Sequence, residues 1–451
     1  MGDMSASVPR RLPFLFNASG HVEFAVLARL AYPATSEFMT TMKFDTVVLG
    51  AGIIGVSVAV HLQKRGRSVA LVDRKQPGNE TSFGNAGLIQ REGVYPHAFP
   101  RDFGTLLRYA RNQSLDVRYH ADAILKAAPF LWQYWRNSHP AKHAAIAKSY
   151  ATLIEHCLDE HRALAAAAGA NALFRPTGWI KVFRTEKARD AETRLAERWL
   201  QEYGVESESL DAGRLQQKEP DLDKALLGGL RYLASNSVSD PNALVTAYAK
   251  YFEALGGRFF IGDADSFREG WAVDTQAGTI TASSAVVALG PWSDRVTSRL
   301  GYRLPLAVKR GYHMHYAPEA GARLNHPILD VEKGYVLAPM AKGIRLTTGA
   351  EIAHCDAPKT PTQLAAVEPI ARTLFPLGKR LDDEPWMGRR PCTPDMMPII
   401  GPAPRHKDLW FAFGHAHHGL TLGPVTGRLI AEMMTHEETL VDPQPFRVER
   451  F

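Results

Sequence analysis

Gly50, Gly52 and Gly55 stand at the spacing G-x-G-x-x-G in Gly50-Ala51-Gly52-Ile53-Ile54-Gly55. That spacing suits a backbone that must fold tightly against a pyrophosphate. Gly50 makes the turn and Gly52 lets the chain approach the phosphates. Gly55 lets a helix lie close on the preceding strand, and the free N–H groups of Ile53 and Ile54 open that helix toward the ligand. Asp73 follows at close to the ~20-residue spacing expected of a carboxylate on a ribose 2′-hydroxyl. An acid there favours a free hydroxyl, so FAD or NAD fits better than NADP. Arg74, beside Asp73, is assigned to the same nucleotide site.

The elements needed to place these residues are legible around them. Residues 46–49 form an apolar, β-branched run, which predicts a strand buried on both faces. Residues 56–63 read as a helix and 69–72 as a second buried strand. Glu80-Thr81-Ser82 and Asn85-Ala86-Gly87 are small and polar, fit to wrap a ligand with hydroxyls and backbone N–H groups. Asp240-Pro241 opens a helix over 243–255, followed by a strand over 258–261. Residues 284–289 make another buried strand, which runs into Gly290-Pro291-Trp292-Ser293 at a ligand-facing edge. A strand over 409–413, a glycine-bounded loop over 414–419 and a helix over 420–434 close the chain.

Between these pieces lie other patterns. Residues 121–135 and 141–168 are helical, 179–183 alternates like a strand, 187–203 is a charged surface helix and 226–233 a strand. Short strands at 306–309, 313–316, 334–338 and 343–348 suit a mostly antiparallel sheet. The fold class is therefore α/β: a Rossmann-type FAD-binding domain with a parallel sheet, plus a substrate domain with a mostly antiparallel sheet. The expected division assigns 42–120, 235–301 and 391–451 to the nucleotide domain, and 121–234 and 302–390 to the substrate domain. Residues 1–41 read as a non-core N-terminal extension.

The chain has 451 residues, 45% of them hydrophobic and 22% charged, with a formal net charge of +6. That is ordinary for a folded soluble chain. The charge is spread out, so no basic run points to nucleic acid; it favours an anionic substrate or weak, peripheral contact with a membrane surface. Cys157, Cys355 and Cys392 are the three cysteines. They are far apart and form no C-x-x-C, as in a reducing cytoplasm. No apolar run reaches the ~18 residues of a membrane-spanning helix.

Four islands of sequence then take the reading further: the glycine fingerprint with Asp73; Glu80-Thr81-Ser82 with Asn85-Ala86-Gly87; Ala288-Leu289-Gly290-Pro291-Trp292-Ser293; and Gly388-Arg389-Arg390-Pro391 through Thr393-Pro394-Asp395 and Pro398-Ile399-Ile400-Gly401 to Gly414-His415 and Gly419-Leu420-Thr421. With them the chain resembles the D-amino acid oxidase/dehydrogenase superfamily of FAD-dependent enzymes, most closely the bacterial D-amino acid dehydrogenases. The resemblance covers nearly everything after residue 41. It implies oxidation of an α-amino or imino acid to its imine with reduction of FAD, then hydrolysis to a 2-oxo acid.

Arg390 matches the family position that grips the substrate carboxylate, and a guanidinium gives a bidentate, directional grip. Arg389 is the alternative if the register is off by one. Gly419, Leu420 and Thr421 open the last helix, whose N-terminus would stabilise negative charge on the reduced flavin. Tyr312 is a candidate for a hydroxyl at the substrate, with a structural tyrosine as the competing reading. His415, His417 and His418 cluster near the expected flavin; His415 is taken as catalytic and His418 as cofactor-binding. No acid or cysteine stands beside them, so no metal is expected. Cys392 is not where a flavin-linking cysteine is expected, so FAD would be non-covalent.

Four functions compete. The first is a D-amino acid dehydrogenase that passes electrons to a quinone or other acceptor, cytoplasmic or peripheral on the inner face of the cell membrane. The second is an oxygen-using oxidase of sarcosine, glycine or D-proline-like imino acids. A non-catalytic flavin-binding assembly factor has no need of Arg390. A nicotinamide dehydrogenase has no use for Thr81-Ser82 or the late helix start.

Overall fold

The computed structural model describes residues 41–451. The expected extension, residues 1–41, lies outside the described residues except for its last position. Met42–Leu49 lies at the centre of a seven-stranded sheet. It pairs in parallel with Val69–Asp73 on one side and Gly278–Val287 on the other. Arg258–Ile261 and Leu409–Phe413 extend the two flanks, also in parallel. Ile399–Pro402 closes one edge antiparallel, and Ala272–Thr275 folds back on the outer part of Gly278–Val287.

The central strand is apolar on both faces because both faces are covered. Val48, Leu71 and Val286 enter one core, while Val47, Leu49, Val72 and Val287 enter another. With five strands parallel, their C-terminal ends share one edge of the sheet. Gly50, Asp73, Asp263, Ala288 and Gly414 therefore emerge side by side, where open α/β sheets bind ligands.

The first helix, Ile53–Lys64, is buried from Ile53 to Leu62. The last helix, Gly419–Met434, crosses it at two glycines. A Cβ on Gly423 would meet Ile53 Cγ1 at 2.5 Å, and one on Gly427 would meet the Ser57 backbone carbon at 2.5 Å. The two backbones come this close only because neither position carries a side chain.

A second sheet of eleven strands is mostly antiparallel and is organised around Ala307–Pro318. This is one strand, where sequence suggested two separated at Gly311. Gly311 does not break it; a Cβ there would meet the Arg390 guanidinium at 2.4 Å. Its partner Trp386–Cys392, which pattern reading left as an unassigned motif, carries Arg390. That strand runs across the expected division at residue 390. Val117–Tyr119, expected in the nucleotide domain, instead pairs with Ala350–Ile352 of the second sheet. The helical region 141–168 is two helices, Pro140–Glu155 and Cys157–Ala167, which meet at His156. Among the described residues no helix is long and apolar enough to cross a membrane.

Gly427→Val would force the two central helices apart. The expected loss is about 1–3 kcal/mol of folding stability, measured by urea denaturation. An unchanged midpoint would contradict the close crossing.

Candidate active site

The C-terminal edge of the parallel sheet forms one wall of a cleft. Gly50, Gly52, Ile53, Ile54, Asp73, Arg74, Thr81, Ser82, Gly290, Trp292, His415 and Gly419 all line it. Segments far apart in sequence are therefore brought to one site. The glycines divide the labour as their geometry dictates. Gly50 has φ +104°, and a Cβ there would strike the Ala288 carbonyl at 2.4 Å. A Cβ on Gly55 would meet the Gly50 carbonyl oxygen at 1.8 Å, so Gly55 serves the turn and does not line the cleft. Gly52 is open, with Ser82 Oγ at 3.4 Å the only neighbour a Cβ would meet within 4 Å.

Asp73 is held by its neighbours. Its Oδ2 accepts from the Ala51 N–H at 2.7 Å and its Oδ1 from the Lys75 N–H at 3.0 Å. Burial pushes its carboxyl pKa up, and those two N–H groups oppose the shift. Ser82 Oγ accepts from the Ile53 N–H at 3.0 Å, tying the 80–87 loop to the helix mouth. Arg74 lies over the Trp292 ring at 4.2 Å and pairs with Glu80 at 2.8 Å. Trp292 Nε1 is buried without a hydrogen-bond partner among the described residues. An open glycine face, a pinned carboxylate and an unpaired indole N–H fit a dinucleotide. The rim also includes Asp263 and Asp265, which sequence reading missed. They follow the strand Arg258–Ile261, and the rule that ligands gather at strand C-termini would have found them.

The rest of the expected cofactor set lies around the cleft without lining it. Asn85 Oδ1 accepts from the Gly87 N–H at 2.8 Å, which shapes the turn through Ala86 into Leu88–Ile89. Thr421 Oγ1 donates to the Leu88 carbonyl at 3.3 Å and accepts from the Gln90 N–H at 3.2 Å. The Leu420 carbonyl accepts from His161 Nε2 at 2.7 Å. These contacts fix the start of the last helix, where the N–H groups of Gly419, Leu420 and Thr421 have no preceding turn to pair with.

The histidines divide. His418 was expected against the cofactor, but its ring turns away, with Nδ1 2.7 Å from the Tyr150 hydroxyl. His415 lines the cleft, yet its Nε2 is bonded to Thr426 Oγ1 at 2.9 Å inside the last helix. Burial lowers both pKa values to about 3, so both are neutral near pH 7 and poorly suited to proton transfer. His417 instead faces His97, with ring centroids 4.4 Å apart.

Arg390 and Tyr312 are not in one place. Antiparallel pairing sets Lys309 opposite Arg390 and Gly311 opposite Gly388, so these share one sheet face. Tyr312 points to the other face. Its hydroxyl donates to Glu351 Oε2 at 2.8 Å and accepts from the Thr360 N–H at 2.8 Å, beside the fully buried Arg310. Tyr312 is thus part of a structural network and not a partner of Arg390. Arg389 also points away from Arg390's face, donating to the Cys355 carbonyl at 2.6 Å.

Arg390 donates to the Gly349 carbonyl at 2.8 Å and the Thr348 carbonyl at 3.3 Å. Among the described residues it has no carboxylate partner. A guanidinium has five N–H donors, so most remain for a ligand. Beside it, Lys309 Nζ lies 4.2 Å from the Tyr134 ring centroid, and Cys392 follows on the same face. Pro391, next along the strand, lines the cleft, and its carbonyl accepts from the Ala416 N–H at 2.8 Å; by strand alternation Arg390 and Lys309 leave the opposite face of the same strand pair.

One group among the described residues has the geometry for a metal: His313, His315 and Asp382. Cations already occupy it. Arg345 Nε donates to His315 Nε2 at 3.0 Å, and Lys342 pairs with Asp382. The arrangement therefore reads as a polar network under the 80–87 loop.

Residues 45–433 match the family model described as FAD dependent oxidoreductase (DAO). A D-amino-acid oxidase of Bradyrhizobium diazoefficiens is 31% identical over 421 residues, covering 90% of this chain and 98% of the relative. A D-amino acid dehydrogenase of Chromohalobacter salexigens is 29% identical, covering 90% and 99%. Among solved structures, glycine oxidase from Geobacillus kaustophilus superposes with a TM-score of 0.69 at 23% identity, covering 91% and 99%.

Removing the Asp73 carboxylate takes away a charged acceptor worth about 1.5–3 kcal/mol. Asp73→Ala is therefore expected to raise the FAD dissociation constant roughly 10- to 100-fold, read by fluorescence titration of the apoprotein. An unchanged constant would remove Asp73 from the site.

Proposed function

The chain belongs to the DAO family of FAD dependent oxidoreductases, and from that premise we propose that it oxidatively deaminates D-amino acids to 2-oxo acids through the imine. In this reading its electrons pass to a quinone or another acceptor. The observation that carries the proposal is Arg390: a half-buried guanidinium, adjacent in sequence to Pro391 of the cleft lining, without a carboxylate partner among the described residues. Burial makes an unpaired guanidinium costly, and a substrate carboxylate relieves that cost. The names of the sequence relatives support the D-amino acid assignment.

Gly50 to Gly55, Asp73, Ser82 and Trp292 would hold FAD, bound without a covalent link. When bound, FAD supplies the acceptor for the hydrogen on the substrate's α-carbon. The protein's own part is orientation and electrostatics. Arg390 fixes the carboxylate and so the direction of the α-carbon. The positive charge of Arg390 also disfavours an ammonium beside it and favours the neutral amine that oxidation requires. The positive end of the last helix at Gly419 lies where negative charge on the cofactor would be stabilised.

A second reading, an oxygen-using oxidase acting also on imino acids, is favoured by the oxidase among the sequence relatives. Substrate-dependent peroxide release from the purified enzyme separates the two. Contact with a membrane surface also finds support. Phe103, Leu107, Leu125 and Trp132 are exposed on the helices Phe103–Ala110 and Ala121–Asn137, with Arg108, Lys126 and Arg136 on the same helices.

An anaerobic screen of D-amino, L-amino and N-alkyl acids, followed by loss of flavin absorbance, should identify a D-amino acid substrate. With it, Arg390→Met is expected to raise KM by roughly 100-fold or more; an unchanged KM would remove Arg390 from the site. The protein is also expected to co-sediment with anionic vesicles, and Phe103→Ser with Trp132→Ser to abolish this. Failure of the wild type to co-sediment would end the membrane proposal.

A further inference from the structure

Lys309 is used by nothing around it. It stands directly across from Arg390 in the antiparallel pair, and both side chains leave the same sheet face. Cross-strand neighbours of this kind lie about 5 Å apart at their Cβ atoms. The ammonium rests over the Tyr134 ring and has no carboxylate or hydrogen-bond acceptor among the described residues. Both cations are half-buried. The charged and titratable neighbours acting on Lys309, Arg390 and the nearby His97 and His417 are lysines, arginines, histidines and the Cys392 thiol, with no acid among them.

Two buried like charges side by side are unfavourable unless a ligand neutralises them. Arg390 alone is enough for one carboxylate. A monocarboxylate with a neutral amine brings one negative charge against two positive ones. A substrate with a second acidic group balances them. Resting on the assignment of Arg390 to the α-carboxylate, we propose that the substrate is an acidic amino or imino acid whose second carboxylate is held by Lys309 Nζ. Lys309 is then a specificity-determining residue.

Unreactive acids test this on the FAD-loaded enzyme without turnover. Propionate and succinate would be titrated against the flavin absorbance of wild type, Lys309→Met, Lys309→Arg and Arg390→Met. Met keeps the packing of the lysine stem over Tyr134 and removes only the charge. Succinate is expected to bind the wild type at least ~10-fold more tightly than propionate. Lys309→Met should erase that gap with propionate little changed, and Lys309→Arg should restore it. Anaerobic flavin reduction by D-aspartate or D-glutamate against D-alanine should show the same pattern. Equal binding of the two acids by the wild type would overturn the proposal, as would equal weakening of both in Lys309→Met. If Arg390→Met leaves both affinities unchanged, the failure belongs instead to the α-carboxylate assignment.

Discussion

The structure depends on backbone packed closer than any side chain would permit. The Gly50 turn lies against the Ala288 carbonyl, the Gly55 helix against the Gly50 carbonyl, and the last helix against the Ser57 backbone at Gly427. These three approaches are coupled. They set the first helix, the fourth strand of the sheet order and the last helix around one point. The result is a cleft walled by helix N-termini and strand C-termini, in which the Ile53 N–H expected to be free is taken by Ser82 Oγ. Apolar burial on both faces of Met42–Leu49 supplies the rigidity that holds the turn in place.

A second constraint operates where the antiparallel sheet meets that cleft. The register of Ala307–Pro318 against Trp386–Cys392 puts Lys309, Gly311, Arg390 and Cys392 on one face, and Tyr312, Arg310 and Arg389 on the other. The faces differ in electrostatic character. Arg310 pairs with Glu351 at 2.7 Å and adds carbonyl and hydroxyl partners, so its burial is compensated. Lys309 and Arg390 have no such acid. One strand pair thus carries a satisfied structural network and an unsatisfied cationic pair, back to back. The unsatisfied side is where binding energy can be gained.

What could be read in advance followed from how local each signal is. The glycine fingerprint, Asp73, Ser82 and Trp292 were legible because their geometry is set within a strand, a turn and a helix mouth. Tyr312 was left between a substrate hydroxyl and a structural tyrosine because side-chain parity on a strand depends on register and continuity. Strands read separately over 306–309 and 313–316 hid that continuity, and Gly311 between them is the space Arg390 occupies. Lys309 was invisible for the same reason, since nothing local tells which residue opposes Arg390. His418 was assigned to the cofactor because it clusters with His415 and His417 near the expected flavin, yet its side-chain direction is decided by Tyr150, far away in sequence.

The central claim is that the unpaired guanidinium of Arg390 is the anchor for a substrate carboxylate. A crystal structure of the FAD-loaded enzyme with a bound, unreactive carboxylic acid tests it most directly. The account predicts both carboxylate oxygens within hydrogen-bond distance of the Arg390 guanidinium, on the Lys309 side of the sheet. A carboxylate seated elsewhere, with Arg390 still bonded only to the carbonyls of Thr348 and Gly349, would contradict it.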